Sequence, residues 1–125
     1  MATSAQQIRA WRGSAIFRYG FRPFFLGAAA FASVAMVIWI WSLAAGWAIP
    51  SAYSPVDWHA HEFLWGYLYA VAAGFLLTAI PNWTGRLPVV GVPLAVLWIL
   101  WLGGRLAMFF SSYMPPVFSA AIDLL

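Results

Sequence analysis

No charged residue lies between Arg22 and Asp57, and the stretch from Phe24 to Ile49 is apolar almost throughout. Read as a helix it has about 26 residues and a length of about 39 Å, enough to cross a hydrocarbon core of about 30 Å with some tilt. Few soluble architectures can bury such a segment in so short a chain. The composition closes that route: of 125 residues, 65% are hydrophobic and 7% charged. Soluble domains carry roughly 25% charged residues, and a small one exposes much of its surface. Both a soluble globular domain and a disordered tail are therefore excluded, and the bilayer is the natural solvent.

The remaining charges divide the chain. Ser54-Pro55-Val56-Asp57 carries a helix start: a capping hydroxyl, proline at the first helical position, and an acid at the positive helix end. A second span is expected over about 55–80, with Pro81-Asn82 breaking it. Thr84-Gly85-Arg86-Leu87-Pro88 forms a polar turn, and a third span runs over about 89–110 with Arg105 its one charge. Gly46 and Pro50 end the first span, where Trp39, Trp41 and Trp47 suit an interfacial belt. A partial fourth span covers 116–125. The fold class expected is all-α: a polytopic transmembrane bundle with three complete spans and the start of a fourth.

Half a span ending at mid-membrane is costly. The chain is therefore expected to be the N-terminal portion of a longer protein, a complete small subunit being the other reading. Its partners are then the lipid bilayer and either later helices of the same chain or other membrane subunits. Arg9, Arg12, Arg18 and Arg22 precede the first span and Arg86 follows the second. By the positive-inside rule residues 1–22 form a basic cytoplasmic segment, and residues 23–125 the transmembrane region. This clustering reads as a topology signal, not a nucleic-acid surface. The absence of cysteine excludes disulfides, thiolate zinc sites and iron–sulfur clusters within the chain.

His59-Ala60-His61-Glu62, at the outer end of the second span, holds the only two histidines. In a regular helix residues two apart differ by about 200°, so His59 and His61 point to opposite faces unless the helix is irregular. His59 and Glu62, three apart, share a face and can bind one metal or each other. Neutral imidazole suits copper, iron and zinc, including an axial position on haem. The alternative is a polar cap anchoring the helix end. Arg105 has two readings as well: snorkelling to headgroups, or pairing at similar depth with Glu62, a haem propionate or another anion. Gly103 and Gly104 permit close approach beside it. Asp123 is an intramembrane acid whose partner is expected elsewhere, and Trp65 and Tyr69 can wall a pocket on the face of His61.

Four blocks carry a family resemblance: Gly20-Phe21-Arg22-Pro23-Phe24-Phe25-Leu26, His59-Ala60-His61-Glu62, Gly74 to Gly85 (GFLLTAIPNWTG), and Gly103-Gly104-Arg105-Leu106-Ala107. In order and spacing they resemble the NnrS family, bacterial inner-membrane proteins containing haem and copper and associated with nitric oxide metabolism, denitrification and resistance to nitrosative stress. The resemblance implies that His59 and His61 are cofactor or metal ligands, with Glu62 beside the metal and Arg105 as an anion partner of the cofactor. Family members are several times longer, so further ligands are expected from later helices. A competing reading is a non-catalytic transmembrane subunit scaffolding a respiratory or photosynthetic complex, and a weaker one is part of a transporter.

Overall fold

A computed structural model describes residues 3–124. Met1, Ala2 and Leu125, which belong to the expected N-terminal segment and fourth span, lie outside the described residues. All regular elements among them are helical. Helix α1 (Ser4–Ala10) starts on a capping box between Thr3 and Gln6. Helix α2 is Phe21–Ala45, α3 is Pro55–Thr84, α4 is Val92–Phe109 and α5 is Pro116–Asp123. Of these, α2, α3 and α4 are long and apolar enough to cross a membrane.

Local chemistry explains most boundaries. Helix α2 ends where Gly46 adopts φ 66°, the left-handed conformation that closes a helix without a Cβ clash. It begins three residues before the expected start, so Pro23 sits within the first turn, where its missing N–H has no intrahelical acceptor. At the start of α3 the Ser54 hydroxyl accepts from the Asp57 amide at 3.2 Å, with Pro55 at the first helical position. The expected break at Pro81 does not occur: α3 continues to Thr84 and stops on Gly85, φ 67°. Pro81 lies within the last turn, so it removes one amide without ending the ladder. Side chains reinforce that turn, Asn82 donating to the Thr78 carbonyl at 3.1 Å and Thr84 to that of Ile80 at 2.8 Å.

One irregularity was not expected. Within α3, Glu62–Leu68 is π-helical. The wider turn follows directly on the two histidines. Such insertions are rare, and they concentrate at functional sites.

Neighbouring spans run antiparallel. Gly20 lies beside Leu77, Gly74 beside Phe24 and Phe25, and Gly66 beside Phe31, so α2 and α3 progress in opposite directions. Glu62 meets Arg105 and Gly66 meets Trp101, which sets α4 antiparallel to α3. A Cβ on Gly66 would lie 2.5 Å from the Phe31 ring, and one on Gly74 2.9 Å from Phe25. Small residues thus let the backbones of α2 and α3 approach, as van der Waals packing between apolar helices requires. The core along this crossing is Phe24, Ala28, Ala70, Leu94 and Trp101. A second cluster, Ala35, Ile49 and Trp58, closes the other end.

The loops sort to two ends. The Gly91 amide donates to the Phe17 carbonyl at 2.8 Å, which holds the arginine-rich N-terminal segment against the loop carrying Arg86. At the opposite end the Ser51 and Ser111 hydroxyls meet at 3.1 Å, and Ser112 donates to the Pro50 carbonyl at 2.8 Å. The loop after α2 and the loop after α4 are thereby clamped together.

A buried charge quartet as the candidate functional site

The side chains of His61, Glu62, Arg105 and Asp123 form a closed ring of polar contacts where α3, α4 and α5 meet. The Arg105 Nη1 lies 3.3 and 3.2 Å from the two Glu62 carboxylate oxygens, and its Nη2 donates to Asp123. His61 completes the ring, Nδ1 lying 3.1 Å from Glu62 and Nε2 3.2 Å from Asp123. The Arg105 side chain is 4% exposed, Glu62 1% and Asp123 9%. With His61 protonated the four charges cancel; with it neutral the ring carries one net negative charge. Each charge is compensated at hydrogen-bond distance, the condition under which ions survive in a low-dielectric interior.

Of the two readings of Arg105, snorkelling is overturned: the guanidinium is buried against Glu62, as equal depth on antiparallel helices predicted. Among the described residues Asp123 finds two partners, His61 and Arg105. Glu62 pairs with the adjacent His61, not with His59 three residues earlier. The α-helical i, i+3 rule that favoured His59 fails because the π-helical segment opens at Glu62, and Arg105 draws the carboxylate toward α4.

His59 faces α2. Its ring stacks on Trp39 with centroids 4.0 Å apart and planes at 15°, and Phe63 lies tilted against it at 6.4 Å. Trp39 is therefore not only a belt residue, though Trp41 beyond it is exposed. The histidines do point apart, as the two-residue spacing requires. The ring of Tyr53 stacks over His61 at 6.0 Å, a contact with no periodic signal in the sequence, since Tyr53 lies in the loop before α3.

A second polar contact ties α4 to α3. The Trp101 indole donates to the Gly66 carbonyl at 2.9 Å, inside the π-helical segment. Gly104 faces α5, a Cβ there lying 3.4 Å from the Asp123 Cα, whereas Gly103 faces open space. Among the described residues Gly104 is the one of the pair with a helix packed against it.

The donor set bears on metal binding. His61 has both ring nitrogens occupied by carboxylates, and Glu62 is shared between His61 and Arg105. Among the described residues no three histidine or acidic side chains are arranged to hold a metal ion. His59 differs: its contacts are aromatic, and both nitrogens are free of protein hydrogen bonds among the described residues.

The model of the NnrS protein family matches residues 15–125. The chain belongs to the NnrS family. The match takes in α2 to α5 and with them all four members of the quartet, so this NnrS protein carries the ring within its family-defining region. Neither the curated proteins nor the solved structures contain a match to it.

Proposed function

We propose that this NnrS-family membrane protein binds haem or copper and acts in nitric oxide metabolism or in resistance to nitrosative stress. It would reside in the bacterial inner membrane with its N-terminus in the cytoplasm. The observation that supports the reading is His59, an imidazole stacked on Trp39 and without a protein hydrogen bond among the described residues, in a chain matched to the family over most of its length. Of the residues singled out by the sequence, His59 fits a ligand role, and His61, Glu62 and Arg105 fit a supporting one. A bound haem or copper supplies the redox-active centre at which nitric oxide binds.

The chain's own residues do the positioning. Trp39 and Phe63 hold the His59 ring at a fixed tilt, so little rotamer freedom is lost when a ligand binds. The quartet fixes the rotation of α3 against α4 and α5, and with it the direction in which His59 projects. The orientation rests on the arginines of the N-terminal segment and Arg86, which the fold gathers at one end.

The test is optical spectroscopy and metal analysis of the protein purified from membranes, with His59→Ala and His61→Ala variants and circular dichroism as a check on folding. His59→Ala is expected to lose haem or copper, while His61→Ala retains part of it. Unchanged content in His59→Ala overturns the ligand assignment. Wild-type protein that lacks both groups and copurifies stoichiometrically with another membrane complex supports the scaffolding reading instead.

A further inference from the structure

A cavity of about 290 Å³ lies beside the quartet, between α2, α3, α4 and the end of α5. Its character changes from end to end. Arg105 and Asp123 form one end, and the walls include Phe24, Trp65, Tyr69 and Trp101. Trp65 and Tyr69, which share a helical spacing with His61, do line a pocket, but His61 is not part of it. Around the opening, Tyr69 is 55% exposed and Leu97 and Leu100 are each 41% exposed. These three sit near the middle of α3 and α4, at the depth of the hydrocarbon core. Among the described residues nothing covers this opening, so a ligand using it comes sideways from the lipid phase, which selects against a charged molecule.

The polar end narrows the choice further. Arg105 lines this end with guanidinium N–H groups, and the Asp123 carboxylate keeps acceptor capacity beyond its contacts to His61 and Arg105. Together they offer a donor and an acceptor to one small head. A fatty-acid carboxylate would face the like charge of Asp123, whose partner Arg105 is already shared with Glu62. A long-chain ammonium would meet the Arg105 guanidinium. A neutral ring bearing carbonyl or hydroxyl oxygens meets neither penalty, and its flat face suits the aromatic walls. The volume lies at the small end of ligand pockets, about 300 Å³, which suits one substituted six-membered ring with its tail left in lipid.

The geometry points to a binding site for the head of a membrane quinone or its hydroquinone, held between the aromatic walls with an oxygen toward Arg105 and Asp123. Binding alone is assigned; no electron transfer is included. The assignment does not rest on the His59 ligand reading, since His59 lines no part of this cavity; Arg105 alone of the residues named there borders it. A neighbouring cavity of about 440 Å³ shares Trp101 and Arg105 with it but is otherwise bordered by apolar residues such as Ala30, Val34 and Ile38 and lacks Asp123; it serves as the control.

The experiment is a titration of the full chain in phosphatidylcholine nanodiscs with a decyl-substituted benzoquinone and with its reduced form, read by quenching of tryptophan fluorescence. Saturable quenching is expected. Ala73→Phe, which fills the cavity from α3, and Leu100→Phe, which narrows its mouth from α4, are each expected to weaken binding at least tenfold. Ala30→Phe, which fills the control cavity, leaves affinity unchanged. Quenching that rises linearly and equally in all variants shows partitioning into lipid and overturns the site. Loss in Ala30→Phe with retention in Ala73→Phe and Leu100→Phe overturns its location. Saturable binding of hexadecanoate or hexadecylamine at this cavity, with none of the quinone, overturns the ligand class.

Discussion

Replacing Arg105 by methionine tests whether the quartet is a dry, mutually dependent ring. The substitution keeps much of the aliphatic stem and removes the guanidinium, with its contacts at 3.3 and 3.2 Å to Glu62 and its bond to Asp123. Glu62 is 1% exposed and Asp123 9%, so neither carboxylate regains water in compensation. Removing one partner of a buried ion pair costs about 3–5 kcal/mol, because the other charge is left unpaired. The expected loss for Arg105→Met lies in that range. The same physics predicts rescue: Glu62→Gln and Asp123→Asn added to Arg105→Met remove the stranded charges and recover at least about 1 kcal/mol of it. Reversible unfolding in mixed micelles, followed by far-ultraviolet circular dichroism, measures both. A single-variant loss below about 1 kcal/mol, the value for solvated pairs, refutes the dry ring. A triple variant less stable than Arg105→Met refutes the charge argument itself.

Two further substitutions probe the crossing of α2, α3 and α4 by the same assay. Gly66→Ala places a methyl 2.5 Å from the Phe31 ring and is expected to cost about 1–3 kcal/mol through overpacking; a neutral result would mean the helices separate freely. Trp101→Phe keeps the aromatic packing but removes the indole bond to the Gly66 carbonyl, which still accepts from the Tyr69 amide, for an expected loss of about 0.5–1.5 kcal/mol, and an unchanged stability would show the indole bond to contribute nothing net.

The spans were legible because the charges are few. Three crossing helices, the Ser54 start and the Gly46 stop follow from composition and capping chemistry, and the structure contains each of them. The Glu62–Arg105 contact was legible for a geometric reason, since antiparallel neighbours joined by short loops bring residues of equal depth together. The π-helical segment was not, because no hydrophobic period announces an i+5 ladder. That omission carried forward into the site. With a regular helix assumed, Glu62 shared a face with His59 as well as a depth with Arg105, whereas the observed neighbours of Glu62 are His61 and Arg105. Asp123 was left without a partner because the eight-residue α5 has too little sequence to fix which way it turns. Pro81 misled for the opposite reason: a strong local signal fell where the helix had one more turn to finish.

The wider turn at Glu62–Leu68 gives α3 two separately adjustable halves. Its later half is registered by Gly74 against α2, while its first half aims His59 and His61. A π-turn amounts to one residue more than the α-ladder needs, and one residue is a rotation of about 100°. Because the wide turn absorbs that residue, deleting a single codon within residues 63–68 would close it to an α-turn with both faces kept, whereas deleting one from the regular ladder just after Leu68 would turn the histidines and Glu62 by about 100° away from their partners. In this protein the reading frame of a helix face, and not only its residue types, is part of the site.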